Sequence, residues 1–220
     1  MAVSDRRARH RASLRREILD AASKMLVEEG YDRVTMRRVA AKIDYSPTTI
    51  YLYFKDKREL FGAICDETFS QLASKLERLK ATPNTPIAHL REGLRTYVEF
   101  GSSHPNHYIV TFLQMQEPSK GFAFEGSAGA RAFGFLRESV QACVTSGALR
   151  TDSVETTTQS LWAAVHGLAS LFITMKGFPF VPRQALVDHT LDTLIAGLQP
   201  IAAAPKTPAT RQAARLSFLD

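Results

Sequence analysis

Apolar residues recur along most of this chain at the three- and four-residue steps of a helix, and no sustained period-two segment of a strand interrupts them. Leu14, Ile18, Ala21, Ala22, Met25 and Leu26 share one face of a first helix, which Gly30 stops. Thr35 caps a short second helix whose Met36, Val39, Ala40 and Ile43 again point one way. Asp44-Tyr45 breaks it. Ser46-Pro47 opens a third helix, with serine as cap and proline at the first helical position, where its missing N–H costs nothing. Asp56 caps a longer fourth helix running through Leu60, Ile64, Phe69, Leu72 and Leu76 until Pro83 ends it. Further helices are predicted at about 85–103, 105–115, 128–147, 151–176 and 183–199. His104-Pro105, the stretch 118–129, Gly147 and Gly177-Phe178-Pro179 mark the loops between them. From Pro200 onward the AAAPKTPAT run reads as a tail, with a short final helix near 211–218. The class is all-α, with a small N-terminal head and a larger helical body.

Composition narrows the field without naming a function. A chain of 220 residues, 45% hydrophobic and 23% charged with 12 Gly and 10 Pro, is not collagen-like, disordered or disulfide-dense. Cys65 and Cys143 lie far apart and form no zinc pattern, so both are expected as small buried apolar side chains in a reducing compartment. No run of about 18 uninterrupted apolar residues exists, and no apolar signal segment follows the basic N-terminus, so a soluble cytoplasmic protein without a membrane partner is expected. Net charge is +6, and it is unevenly placed. Residues 1–62 carry 14 basic and 9 acidic side chains, against 14 and 13 in the remainder. A basic arm before a nucleic-acid-binding head has this distribution; so does a solvated tail.

The second and third helices, 35–43 and 46–54, are separated by a tight turn and form a helix-turn-helix. In such a unit the first helix crosses the DNA backbone and the second enters the major groove. Ile50 and Phe54 are expected inward, leaving Thr48, Thr49, Tyr51 and Tyr53 for base edges and phosphates. The helix starts at Thr35 and Ser46 offer free N–H groups to phosphate, flanked by Arg37, Arg38 and Lys57.

The run REILDAASKMLVEEGYDRVTMRRVAAKIDYSPTTIYLYFKDKRELF, from Arg16 to Phe61, resembles the DNA-binding domain of the TetR family of bacterial transcriptional regulators. The resemblance rests on the end of the first helix at Gly30-Tyr31, on Thr35 with Val39-Ala40, and on the Ser46…Thr49-Ile50-Tyr51…Phe54…Lys57…Leu60 signature. It implies DNA contacts from Thr35 and Arg37, base or phosphate contacts from Thr48, Thr49, Tyr51 and Tyr53, and a phosphate grip from Lys57. Asp44-Tyr45 stands where the family usually has Gly followed by a small aliphatic residue; aspartate tolerates the left-handed conformation that such a turn requires. Pro47 brings no side-chain hydrogen bond, so no base contact is assigned to it. Trp162, His166 and Gly167 in SLWAAVHGLASLF are similar to a family subset carrying a Trp-His-Gly motif, which implies a regulatory body whose last two helices form a dimer interface.

The residues themselves agree with that implication. Ala163, Ala164, Gly167, Ala169 and Ser170 permit close helix approach, and Val187, Leu191, Leu194, Ile195 and Leu198 form one apolar stripe. Both stripes would equally suit burial within one subunit. The middle helices are rich in aromatics: Tyr97, Phe100, Tyr108, Phe112, Phe122, Phe124, Phe133 and Phe135. With Met115, Trp162 and the polar His104, His107 and His166, they are candidates for an apolar effector pocket, although aromatic stripes also build plain core. His104 and His107 have a spacing that could share a metal, but Pro105 between them and the lack of a third ligand argue for no metal and no cofactor. No nucleophile elbow, HExxH or phosphate-binding glycine loop is present, so an enzyme is not expected.

The expected organisation is an arm over 1–12, a DNA-binding head over 13–62, a ligand-binding and dimerising body over 63–199, and a tail over 200–220. The expected function is that of a homodimeric regulator on double-stranded operator DNA, most simply a repressor released by a small hydrophobic or aromatic effector. A sequestering protein with a vestigial head, or an activator of the same family, fits the same residues.

Overall fold

The computed structural model describes residues 2–114 and 125–200; every structural statement below concerns these. Met115, Phe122, Phe124 and the expected final helix at 211–218 lie outside them. The described chain is helical throughout, in the order α1 (Ala2–Glu29), α2 (Met36–Lys42), α3 (Pro47–Tyr51), α4 (Lys57–Lys80), α5 (Pro86–Ser103), α6 (Pro105–Ile109), α7 (Ala128–Thr145), α8 (Val154–Thr174) and α9 (Arg183–Leu198). A single 3₁₀ turn, Tyr31–Arg33, links α1 to α2, and α6 widens into a π turn, Val110–Gln114.

The caps explain why the elements start where they do. Thr35, Ser46, Asp56, Thr85, Ser127 and Ser153 each accept a hydrogen bond from the backbone N–H three residues on, which satisfies a donor that the helix leaves unpaired. In the turn between α2 and α3, Asp44 has φ 58°, the left-handed conformation in which glycine is usual and aspartate is tolerated.

One expectation changes here. The arm is not separate from the head, since α1 begins at Ala2 and runs unbroken through residue 12. Alanine and arginine both favour helix, and Arg11 and Arg15 lie over the rings of Tyr53 and Phe54 at 6.0 and 5.2 Å. As expected of the run between Asp56 and Pro83, α4 continues from the head into the body.

The head core is built from Leu14, Ile18, Ala22 and Leu26 of α1, Val39 and Ala40 of α2, Ile50, Phe54, and Leu60, Phe61 and Ile64 of α4. Val110 of the π turn completes it. The body has its own core between α5, α7, α8 and α9, including Leu90, Leu94, Val140, Leu161, Val165 and Leu191. A smaller cluster of Leu72, Leu76, Phe100 and Phe135 joins α4 to α5 and α7. Gly93 allows α5 to approach α7, since a Cβ there would stand 2.5 Å from Phe135 Cε1.

Candidate nucleic-acid interface and ligand cavity

The polar side of the head is formed by α2, α3 and the residues around them. Arg37 and Thr48 are exposed, and Tyr51 is 52% exposed with the neighbouring Leu52 at 70%. Ile50 and Phe54 are buried as expected, so packing of the inward side presents this outer side. Ser46 and Thr49 are linked, with their hydroxyls 3.0 Å apart and the Thr49 N–H donating to Ser46 Oγ. Tyr53 is half-buried beside Arg11. Arg6, Arg7, His10 and Arg11 of α1 face Leu52 and Tyr53 across an open groove, so the basic first turns of α1 adjoin the end of α3.

Two side chains expected on phosphate also make bonds within the head. Arg38 forms an ion pair with Glu29 at 2.8 Å and donates to the carbonyl of Arg33. A hydrogen bond from Arg38 to Glu29 Oε1 at 3.0 Å holds the Glu29 carboxyl below its usual range. Lys57 Nζ donates to Tyr31 O at 2.7 Å and lies 3.8 Å from the Tyr31 ring centroid; burial lowers its pKa. Spacing placed both residues beside the helix-turn-helix but did not show these bonds to Glu29, Arg33 O and Tyr31 O.

The body encloses a cavity of about 590 Å³, within the range that takes a drug-sized ligand. Its walls come from four helices and the π turn: Gly62, Cys65, Asp66 and Phe69 of α4, Gly93 and Tyr97 of α5, Thr111 and Phe112, Phe133 and Phe135 of α7, and Glu155, Gln159 and Trp162 of α8. Of the residues expected in a pocket, Tyr97, Phe112, Phe133 and Trp162 line it. Phe100 is core, packed against Phe69 and His104.

Behind the wall lies a polar cluster. His166 Nδ1 is 2.6 Å from Tyr108 Oη and 3.2 Å from Tyr97 Oη, and Trp162 Nε1–H donates to Tyr97 Oη at 3.3 Å. Burial raises the pKa of both tyrosines and lowers that of His166, so the cluster is neutral near pH 7. It fixes the edge of the Trp162 ring. The residues that sequence reasoning missed are mostly those of α4, above all Cys65, Asp66 and Phe69. Cys65 and Phe69 were expected inward but not against a void, and Asp66 is exposed. The Cys65 thiol, pushed up to about 11 by burial, is an apolar wall rather than a nucleophile.

His104 and His107 do not converge on a site. His104 Nδ1 is bonded to Phe100 O at 3.0 Å, while His107 Nε2 is bonded to Ser23 Oγ of α1 at 3.0 Å. Among the described residues there is no group of three His, Cys, Asp or Glu side chains able to hold a metal ion. Asn106, next to His107, donates from its side-chain amide to both Leu26 O and Val27 O in the last turn of α1, where Leu26 O also accepts the Gly30 N–H. One short helix, α6, is thus bonded to the helix-turn-helix head, and the turn that continues it places Val110 in the head core and Thr111 and Phe112 in the cavity wall.

The expected dimer stripe on α9 is corrected in part. Leu191 and Ile195 are buried within the subunit, and Leu194 and Leu198 pack half-buried against the same core. The Asp188 carboxyl, lowered chiefly by its hydrogen bond from Arg95, also holds α9 to α5. The stripe serves intrachain packing because α5, α7 and α8 surround it. On α8, Ala163 and Leu171 are exposed and Gly167 and Ser170 half-buried, all on one face. A Cβ added at Gly167 would meet nothing within 4 Å. Leu171 of α8, and Met175, Phe178 and Val181 beyond its end, are exposed apolar side chains.

A helix-turn-helix head joined through shared helices to an α-helical body with an apolar cavity defines a class of two-part helical proteins. Residues 18–64 match the family described as bacterial regulatory proteins, tetR family, and residues 90–198 match a tetracyclin repressor-like C-terminal domain. The chain belongs to the TetR family. A helix-turn-helix-type transcriptional repressor of Mycobacterium tuberculosis is 39% identical over 69 residues, which are 31% of this chain and 37% of that protein. The match therefore spans little more than a third of that relative. Among solved structures, a protein of unknown function from Rhodococcus sp. RHA1 superposes with a TM-score of 0.74 at 23% identity, covering 85% of this chain and 96% of that one. FadR of Bacillus subtilis, in complex with stearoyl-CoA, superposes with a TM-score of 0.66 at 19% identity, covering 83% and 98%. No described helix is long and apolar enough to cross a membrane.

Proposed function

We propose that this chain is a homodimeric transcriptional repressor whose hold on operator DNA is weakened by an apolar or aromatic effector bound in the body cavity. The observation that carries this reading is the division of labour in three consecutive residues. Val110 is buried in the head core, while Thr111 and Phe112 face the cavity. A ligand that displaces Phe112 must also act on Val110 and, through Asn106 and His107, on the end of α1. Because packed cores are bistable rather than freely deformable, such a displacement changes the spacing of two recognition helices rather than being absorbed locally. Two heads read successive major grooves only at one spacing, so operator affinity falls.

Arg37, Thr48 and Tyr51 are the exposed contacts on this reading, with Tyr53, Thr35, Ser46 and Thr49 beside them. Arg38 and Lys57 hold the head in shape. The face of α8 marked by Ala163, Gly167 and Leu171 meets its copy across the two-fold axis. Trp162 and His166 of the motif that resembles the Trp-His-Gly subset support the cavity wall. A band shift on the DNA upstream of the chain's own gene, followed by release with apolar compounds, tests the proposal. Sequence-specific retardation reversed by a compound that also changes Trp162 fluorescence supports it. Compound binding with no retardation at any salt concentration would instead favour a sequestering protein with a vestigial head.

A further inference from the structure

The charged groups at the cavity point to the kind of effector it takes. Resting on the reading of this cavity as the effector site, we infer that the effector is an aromatic cation. Six rings line the space, those of Phe69, Tyr97, Phe112, Phe133, Phe135 and Trp162. The charged side chains in the described lining are Asp66 and Glu155, both carboxylates, and no described Lys, Arg or His joins them.

Basic groups nearby are engaged elsewhere or only partly offset these charges. Lys80, 5.7 Å from the Phe135 ring, is paired with Glu138. Arg131 donates to Ser70 Oγ, and Arg137 lies 3.4 Å from Glu155 at an exposed position. Asp66 accepts the N–H of Ala128 at 3.0 Å and has no ion-pair partner among the described residues. The start of α7 compensates that carboxylate by at most about half a charge.

An anion entering this space meets the exposed Asp66 carboxylate and that of Glu155, which is also exposed and has Arg137 beside it. A cation meets the same carboxylates together with the negative faces of the rings. The chain as a whole carries +6, so unspecific attraction favours anions. Preference for a cation would therefore originate in the cavity.

Tetraphenylphosphonium and tetraphenylborate share a shape and differ in sign, which makes them the deciding pair. Each is titrated into the full-length protein by calorimetry while the emission of Trp162, the single tryptophan, reports occupancy of the cavity. The phosphonium is expected to bind at least about tenfold more tightly than the borate, as an attraction that changes sign with the ligand requires. Asp66→Asn, which keeps an acceptor for the Ala128 N–H, and the exposed Glu155→Gln should each weaken the phosphonium several-fold and not the borate. Equal or tighter binding of the borate, or phosphonium binding indifferent to both substitutions, overturns the inference and leaves the cavity as effector site. The neutral N-phenyl-1-naphthylamine separates the remaining outcomes. If it alone binds, the charge preference falls; if none of the three alters Trp162 emission, the cavity reading falls with it.

Discussion

Lowering the pH from about 7 to about 4.5 should loosen the contact between head and body through one side chain, His107. The imidazole is 7% exposed, bonded through Nε2 to Ser23 of α1, and its Nδ1 is buried without a partner. Burial, reinforced by the neighbouring His104, pushes its pKa down to about 4 from 6.5. Between those values the unfolded chain takes up a proton that the folded chain resists. Stability from His107 is thus complete above about 6.5 and is lost as the pH falls towards 4. The slope is at most about 1.4 kcal/mol per pH unit, and crossing the whole window costs about 3 kcal/mol. That is a large part of the 5–15 kcal/mol typical of a folded domain. Denaturant unfolding at fixed protein concentration, repeated across this pH range, measures the effect for the native chain and for His107→Gln. Glutamine retains a hydrogen-bonding end and does not titrate. Carboxylates and His166 contribute to both proteins and cancel in the comparison. The native chain should lose stability faster by about 1 kcal/mol per pH unit in the middle of the window. Equal slopes would mean that His107 is not held neutral between α6 and α1, and the proposed link would lose its central residue.

Tyr51→Phe should weaken binding to operator and unrelated duplexes alike by about 1 kcal/mol, the worth of one hydrogen bond to phosphate; anisotropy titrations showing no change on either would remove the hydroxyl from the interface. Deleting residues 2–11 removes Arg6, Arg7, Arg9 and Arg11 from each subunit. If half of the eight in a dimer touch phosphate, the slope of log affinity against log salt should shallow by roughly 3–4, and an unchanged slope would show that the start of α1 does not follow the DNA. Leu171→Arg places a charge in the proposed two-fold contact of α8, and a monomer with lost operator affinity is expected by size-exclusion and band shift. A dimer with normal binding would move the interface elsewhere.

Local rules carried most of the fold. Thr35, Ser46 and Asp56 were legible as caps because a cap depends on a side chain and the backbone three residues away. The inward faces of α1 to α4 were legible because helical period records burial. Period does not record what lies opposite. It could not tell that Leu191 and Ile195 meet their own subunit, or that Phe112 and Phe133 border a void whereas Phe100 fills a core. Nor could spacing reveal that Arg38 and Lys57 are engaged by Glu29 and Tyr31, residues 9 and 26 positions away. Asn106 and His107 are the clearest case. Nothing local distinguishes them, and their role arises only when folding brings α6 against the end of α1, some 80 residues earlier in the chain. Contacts of that separation depend on the relative placement of whole helices, which is set by the packing of every core residue together rather than by any one segment.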